Sequence, residues 1–226
     1  MSVESKAQIL GQATIFSELS EGELSELAAL AVEHSFGPNE FIFWEGDEAC
    51  SFYTVAKGQV KVLKHSSQGK EFIVAFFGPG EMFGEVAVFE NRPCPASAQA
   101  LGETMVLAIR REALLSFMAS HPQMPLRIIS ILGGRLRDAQ GRLRDMAGER
   151  VEQRLARTLL MLSTKLGPTL SFTRQDIADM AGTTTETAIR IMSRLKEGGI
   201  IQSARNKITI LDDRKLKLLS EGPPRI

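Results

Sequence analysis

Cysteine is scarce in this 226-residue chain: Cys50 and Cys94 are all it has. Two thiols so far apart make neither a CxxC pair nor a zinc framework, and so low a count suits a reducing compartment. Histidine is nearly as rare. His34, His65 and His121 are widely separated, without metal-ligand spacing, so each reads as a surface or capping residue and no metal site is expected. No apolar run approaches the roughly 20 residues that span a bilayer, and no basic N-terminal region leads into an apolar stretch. The expectation is a cytoplasmic protein with no membrane partner. A GxSxG elbow and a phosphate-cradling GxxxxGK are missing too, as is any set of His and carboxylates on neighbouring strands. That leaves an enzyme without machinery.

Net charge is also lacking, with 27 basic against 27 acidic residues, but the balance hides an asymmetry. From Arg110 onward there are 21 Lys and Arg against 12 Asp and Glu; before it there are 6 against 15. The second half is drawn to phosphate and the first is repelled by it. Apolar and charged fractions of 43% and 24% are those of an ordinary folded protein.

Within the basic half, the stretch FTRQDIADMAGTTTETAIRIMSRLKEGGII, residues 172–201, has two sets of apolar positions at helical spacing. Ile177, Met180 and Ala181 come first, and Ala188, Ile191, Met192 and Leu195 second, with Gly182 between them. Ala178 is small enough for a close helix approach and Gly182 can take a positive φ, as a helix-turn-helix requires. Thr183 is expected to cap the second helix, with Glu186 completing a capping box. Two packed helices occur in many α domains. Here a hairpin follows, from Ile200 and Ile201 through a polar turn at Ser203 to Lys207 and on to Ile208, Ile210 and Leu211, which reads as a wing. If the second helix lies in a major groove, Thr184, Thr185, Glu186 and Arg190 face the bases, with Arg174, Arg194 and Lys207 as further DNA contacts.

Residues 4–33 read as short amphipathic helices, with a Ser20–Glu23 capping box. From Phe36 to Ile109, β-branched and aromatic runs at 41–44, 52–55, 60–63, 72–76 and 105–109 alternate with glycine-marked turns, as in an antiparallel roll or barrel. After His121 and Pro122, the positions Ile128, Leu132, Leu136, Ala139, Leu143 and Met146 form a coiled-coil seam on one long helix. The sequence breaks at Gly148, a candidate hinge, before a further helix over Val151 to Leu166 carrying Leu155, Leu159 and Leu162.

These motifs together resemble the CRP/FNR superfamily of bacterial transcription regulators, across nearly the whole chain. The layout GPNEFIFWEGD…FYTVAKGQVKVLK…GPGEMFGEVAVF resembles that family's cyclic-nucleotide-binding roll. The resemblance implies an α+β chain: an N-terminal antiparallel β-roll sensor over 1–121, a dimerisation helix over 122–147, and a winged helix-turn-helix over 148–226. It further implies a homodimer on double-stranded DNA with a two-fold operator, RNA polymerase as a partner, and a small effector sensed in the roll. Glu186 and Arg190 match the family's base-reading pair, while Thr185 stands where the cyclic-AMP receptor has a further Arg, so the half-site should be nearer the FNR type. The alternative is a metal- or ligand-binding β-barrel enzyme or an interaction module, and it leaves the helix-turn-helix, wing and basic half unexplained.

At the effector site the chain departs from that pattern. Gly84 and Glu85 match the pair that reaches ribose and phosphate in nucleotide-binding members, but the phosphate-clamping Arg-Ser pair falls on Cys94 and Pro95. A thiol and a residue without N–H cannot make that clamp, and Arg92 lies two residues away. The long-helix positions that meet adenine fall on Ala139 and Gln140. Cyclic AMP is therefore not expected as the effector, and the pattern looks most like the branch answering to nitric oxide, haem, redox state or small organic ligands. The cysteine count excludes the four-cysteine iron–sulfur cluster of one branch. Cys94 keeps three readings: a buried filler in a strand, a redox thiol near Arg92, or a haem thiolate in a cavity lined by Phe83, Val86, Val88 and Phe89.

Overall fold

The computed structural model describes residues 1–48, 51–65, 71–148, 150–204 and 206–221, without the side chains of 142 and 144–148. Cys50, the expected turn at Gly69 and the Met146 side chain of the expected seam lie outside the described residues. The chain divides into two compact units, one of residues 1–64 and 74–136, the other of 65–73 and 137–226.

The first unit begins with α1 (Val3–Gln12), a 3-10 turn (Thr14–Phe16) and α2 (Glu21–Leu30). Ser20 caps α2 in the expected box, its N–H donating to Glu23 Oε2 at 2.6 Å. That bond, with help from the Ser20 hydroxyl and His121, holds the Glu23 carboxyl below its usual range. The helical region is shorter than expected: Ala31 opens a strand, β1 (Ala31–Phe36), which pairs antiparallel with β8 (Thr104–Arg110). Its middle residues Glu33, His34 and Ser35 are polar, so the ladder rather than an apolar alternation holds it.

Between these strands lie β2 (Phe41–Phe43), β3 (Ser51–Lys57), β4 (Val60–His65), β5 (Glu71–Phe77), β6 (Met82–Phe83), α3 (Glu85–Glu90) and β7 (Ser97–Ala100). They form two four-stranded sheets, β1-β8-β3-β6 and β2-β7-β4-β5. All five expected strands are present, although Trp44 lies past β2, where its N–H donates to Asp47 Oδ2 at 2.7 Å. A core of aromatic and β-branched residues fills the space between sheets, including Val55, Val60, Phe77, Phe83 and Val106. Gly58, in the β3–β4 turn, takes φ +82°, and a Cβ there would lie 2.5 Å from Glu103 O, so the turn admits only glycine.

A second core joins the N-terminal helices to α4 (Arg111–Ser120) and to the start of α5 (Gln123–Gly148), through Leu10, Phe16, Leu27, Phe52, Leu114 and Met124. Here the expected seam needs correction. Ile128 is buried in this core, and Leu132 packs against it, so neither belongs to an outward-facing stripe. The first turns of α5 must satisfy the roll on one face. Leu136 and Leu143 of the expected seam are exposed, at 59% and 69%, and so are Leu126 and Ile129, at 70% and 65%. Ile129, Leu136 and Leu143 recur every seven residues, the period of a coiled-coil stripe. Ala139 is half-buried.

The second unit contains α6 (Val151–Leu166), β9 (Thr169–Leu170), α7 (Arg174–Met180), α8 (Thr185–Glu197), β10 (Ile201–Ala204), β11 (Lys207–Ile210) and α9 (Asp213–Glu221). Leu155, Leu159 and Leu162 of α6 are fully buried, as their spacing implied. α9 packs on α6, where Arg157 donates to Ser220 O at 2.9 Å. The wing has a third strand, in the order β10-β11-β9.

Candidate DNA-reading surface and effector pocket

Thr173 caps α7 in a reciprocal box with Asp176: the Thr173 N–H donates to Asp176 Oδ2 at 2.9 Å, and the Asp176 N–H to Thr173 Oγ1 at 3.0 Å. Ile177, Ala178 and Ala181 are buried, Gly182 turns the chain with φ +62°, and the Thr183 N–H returns to Ala178 O at 3.0 Å. Arg154 of α6 closes the turn, donating to Ala181 O at 2.9 Å and Gly182 O at 3.1 Å. Carbonyls that α7 leaves open at its end are thus satisfied by a guanidinium. Sequence spacing gave no sign of this role, because Arg154 is 27 residues from Ala181.

The cap of α8 is Thr184, where Thr183 was expected. Thr184 Oγ1 accepts from the Thr187 N–H at 3.3 Å and lies 3.0 Å from the Thr187 hydroxyl. Thr184 is therefore committed to the helix end, and Glu186 takes no part in a capping box. Ala188, Ile191, Met192 and Leu195 are all buried. The opposite face carries Glu186 and Arg190, both exposed, and neither engages another side chain among the described residues. Thr185 is half-buried and donates to Gln175 of α7. Arg194 lies 3.5 Å from Glu152. Arg174 lines a cleft with Phe172, Ser203, Ala204, Asn206 and Ile208, beside the wing where Lys207 is exposed.

In the first unit, Gly84 ends β6 with φ +79°, and a Cβ would meet Tyr53 Cδ2 at 3.0 Å and Ser51 O at 3.2 Å. Glu85 then opens α3 and is buried, 5% exposed. Its partner is Arg135 of α5. Arg135 Nη1 donates to Glu85 Oε1 at 2.7 Å, Nη2 donates to Met82 O at 2.6 Å, and the guanidinium lies 4.7 Å over the Phe77 ring. Phe83 stacks beside it with Tyr53, at a ring separation of 5.0 Å, and with Phe77, at 5.8 Å.

Cys94 is not in a strand. It lies in the segment between α3 and β7, where its N–H donates to Asp47 O at 2.8 Å and its carbonyl accepts from Gly46 N at 2.9 Å. The residue is buried at 7% exposure, whereas Arg92 is exposed. Nor do the four residues proposed to line a haem cavity converge. Phe83 belongs to the roll interior, Val88 and Phe89 to the helical core, and Val86 is 39% exposed. Helix α3 turns Val86 to a different side from Val88 and Phe89, which an extended reading could not foresee. Ala139 is half-buried and Gln140 exposed on α5.

Residues 33–121 match the cyclic nucleotide-binding domain, and residues 153–219 the Crp-like helix-turn-helix domain. The chain is 33% identical over 182 residues to the cyclic AMP receptor protein of Thermus thermophilus, covering 80% of this chain and 84% of that protein. It is 27% identical over 217 residues to a CRP-like cAMP-activated global transcriptional regulator of Mycobacterium tuberculosis, covering 92% and 97%. Among solved structures it is similar to FixK2 from Bradyrhizobium japonicum, with a TM-score of 0.74 and 27% identity over 83% of this chain and 96% of that one.

Breaking the buried pair should be costly. Arg135→Ala leaves the Glu85 carboxylate without its guanidinium and is expected to lower stability by roughly 1–3 kcal/mol, while adding Glu85→Gln recovers part of that loss. Urea unfolding of both variants checks this.

Proposed function

The chain belongs to the CRP/FNR family of DNA-binding transcription regulators, and we propose that it acts as a homodimer reading a two-fold operator under the control of a small effector. The observation that carries this reading is the division of α8. Its inner face is buried through Ala188, Ile191, Met192 and Leu195, while Glu186 and Arg190, one turn apart, are exposed and uncommitted. Arg190 suits guanine O6 and N7 as a donor, and Glu186 suits cytosine N4 as an acceptor. Arg174, Arg194 and Lys207 supply charge for the phosphates, with RNA polymerase the partner at a promoter. Pairing of α5 with its copy brings two such helices to half-sites about one DNA turn apart. The exposed heptad residues Ile129, Leu136 and Leu143 support that pairing.

Effector control rests on the roll. The position of the phosphate clamp holds Cys94 and Pro95, and Glu85 is engaged by Arg135. Both features support an effector other than cyclic AMP, although two of the relatives are named for that nucleotide. Burial of Cys94 favours packing over redox or haem sensing. The effector's signal is read as passing along α5 to its Gly148 end and the DNA-reading unit.

Three outcomes are expected. Arg190→Ala loses roughly 1–3 kcal/mol at a selected operator and little on random DNA, by fluorescence anisotropy. Leu136→Asp and Leu143→Asp each place two like charges in the pairing stripe, and sedimentation should show monomers. Calorimetry with cyclic AMP or cyclic GMP should show no micromolar binding.

A further inference from the structure

Resting on the reading that α8 enters a major groove, we infer that Gln175 makes Thr185 a one-sided reader of the bases, able to accept a hydrogen bond from a base but not to donate one. Asp179 is buried, 7% exposed, and its carboxylate can only accept. Gln175 therefore turns its amide nitrogen to Asp179, with Nε2 donating to Oδ1 at 2.7 Å. That fixes the other end of the amide: Oε1 faces Thr185, and the Thr185 hydroxyl donates to it. A hydroxyl has one proton, and this one is committed to Gln175.

What remains at the start of α8 is the Thr185 lone pairs and methyl group. A threonine without this constraint serves a donor or an acceptor equally well in the groove. Held by Gln175, it suits adenine N6 or cytosine N4, which donate, and meets guanine O6 and N7 or thymine O4 with acceptor against acceptor. Thr184 offers no substitute, because its hydroxyl is engaged with Thr187. The chain Asp179–Gln175–Thr185 also ties α7 to the first turn of α8, so Gln175 acts as a positioning residue and Thr185 as the contact.

The test is selection of operators from randomised duplex DNA by the full-length protein and by Thr185→Val, Gln175→Leu, Gln175→Met and Arg190→Ala. The wild type should enrich sequences with one position per half-site restricted to adenine or cytosine on the contacted strand, by roughly tenfold over guanine and thymine. Thr185→Val should erase that restriction. Gln175→Leu and Gln175→Met, both at an exposed position, should keep the other positions and open this one to guanine and thymine, because the hydroxyl proton is released. If Thr185→Val changes a position that both Gln175 variants leave as in the wild type, the inference is overturned while DNA reading by α8 stands. A Thr185→Val profile identical to the wild type also overturns it. If Arg190→Ala changes no position, or the wild type enriches no sequence at low salt, the DNA reading fails and takes the inference with it.

Discussion

One guanidinium sets the geometry of the first unit. Arg135 satisfies the buried Glu85 carboxylate and the Met82 carbonyl together, and covers the Phe77 ring. A carboxylate buried at the start of α3 is tolerable only with such a partner. The partner comes from α5, so one face of that helix is fixed against the roll, alongside Met124 and Ile128. The neighbouring face, with Ile129, Leu136 and Leu143, is left in solvent. The same constraint makes the lip of the roll a glycine. Gly84 must pass close to Tyr53 for Glu85 to turn inward.

The DNA-reading unit depends on similar accounting of polar groups. Arg154 caps the carbonyls of the helix-helix turn, Thr173 and Asp176 close the start of α7, and Thr184 closes the start of α8. These side-chain bonds, with the Thr183 N–H returning to Ala178 O, stiffen the pair of helices. The exposed face of α8 then presents Glu186 and Arg190 on a rigid support, the condition for base discrimination.

Much of this was legible in the sequence, and the failures have physical causes. The four inward residues of α8 follow the helical period and were read correctly, as were Leu155, Leu159 and Leu162, because one buried face imposes that period. The α8 cap was misread by one residue, since three consecutive threonines offer equivalent hydroxyls and only backbone dihedrals choose among them. On α5 the spacing alone merged two faces: Ile128 and Leu132 pack into the core of the first unit, whereas Leu136 and Leu143 of the same expected seam are exposed. Strand β7, Ser97–Ala100, has no β-branched or aromatic residue, yet it is wholly buried between β2 and β4. The pair Glu85–Arg135 spans 50 positions, so nothing local announces it.

Two recognition helices, fixed in one dimer as proposed, would read two half-sites on the same face of the DNA. The direct measurement is fluorescence anisotropy of the full-length protein on a selected two-half-site duplex and on the same duplex with about five base pairs, half a helical turn, inserted between the half-sites. Paired helices predict that the insertion reduces affinity to about that of a single half-site, and that a further insertion completing the turn restores part of it. Equal affinity for all three duplexes would contradict it.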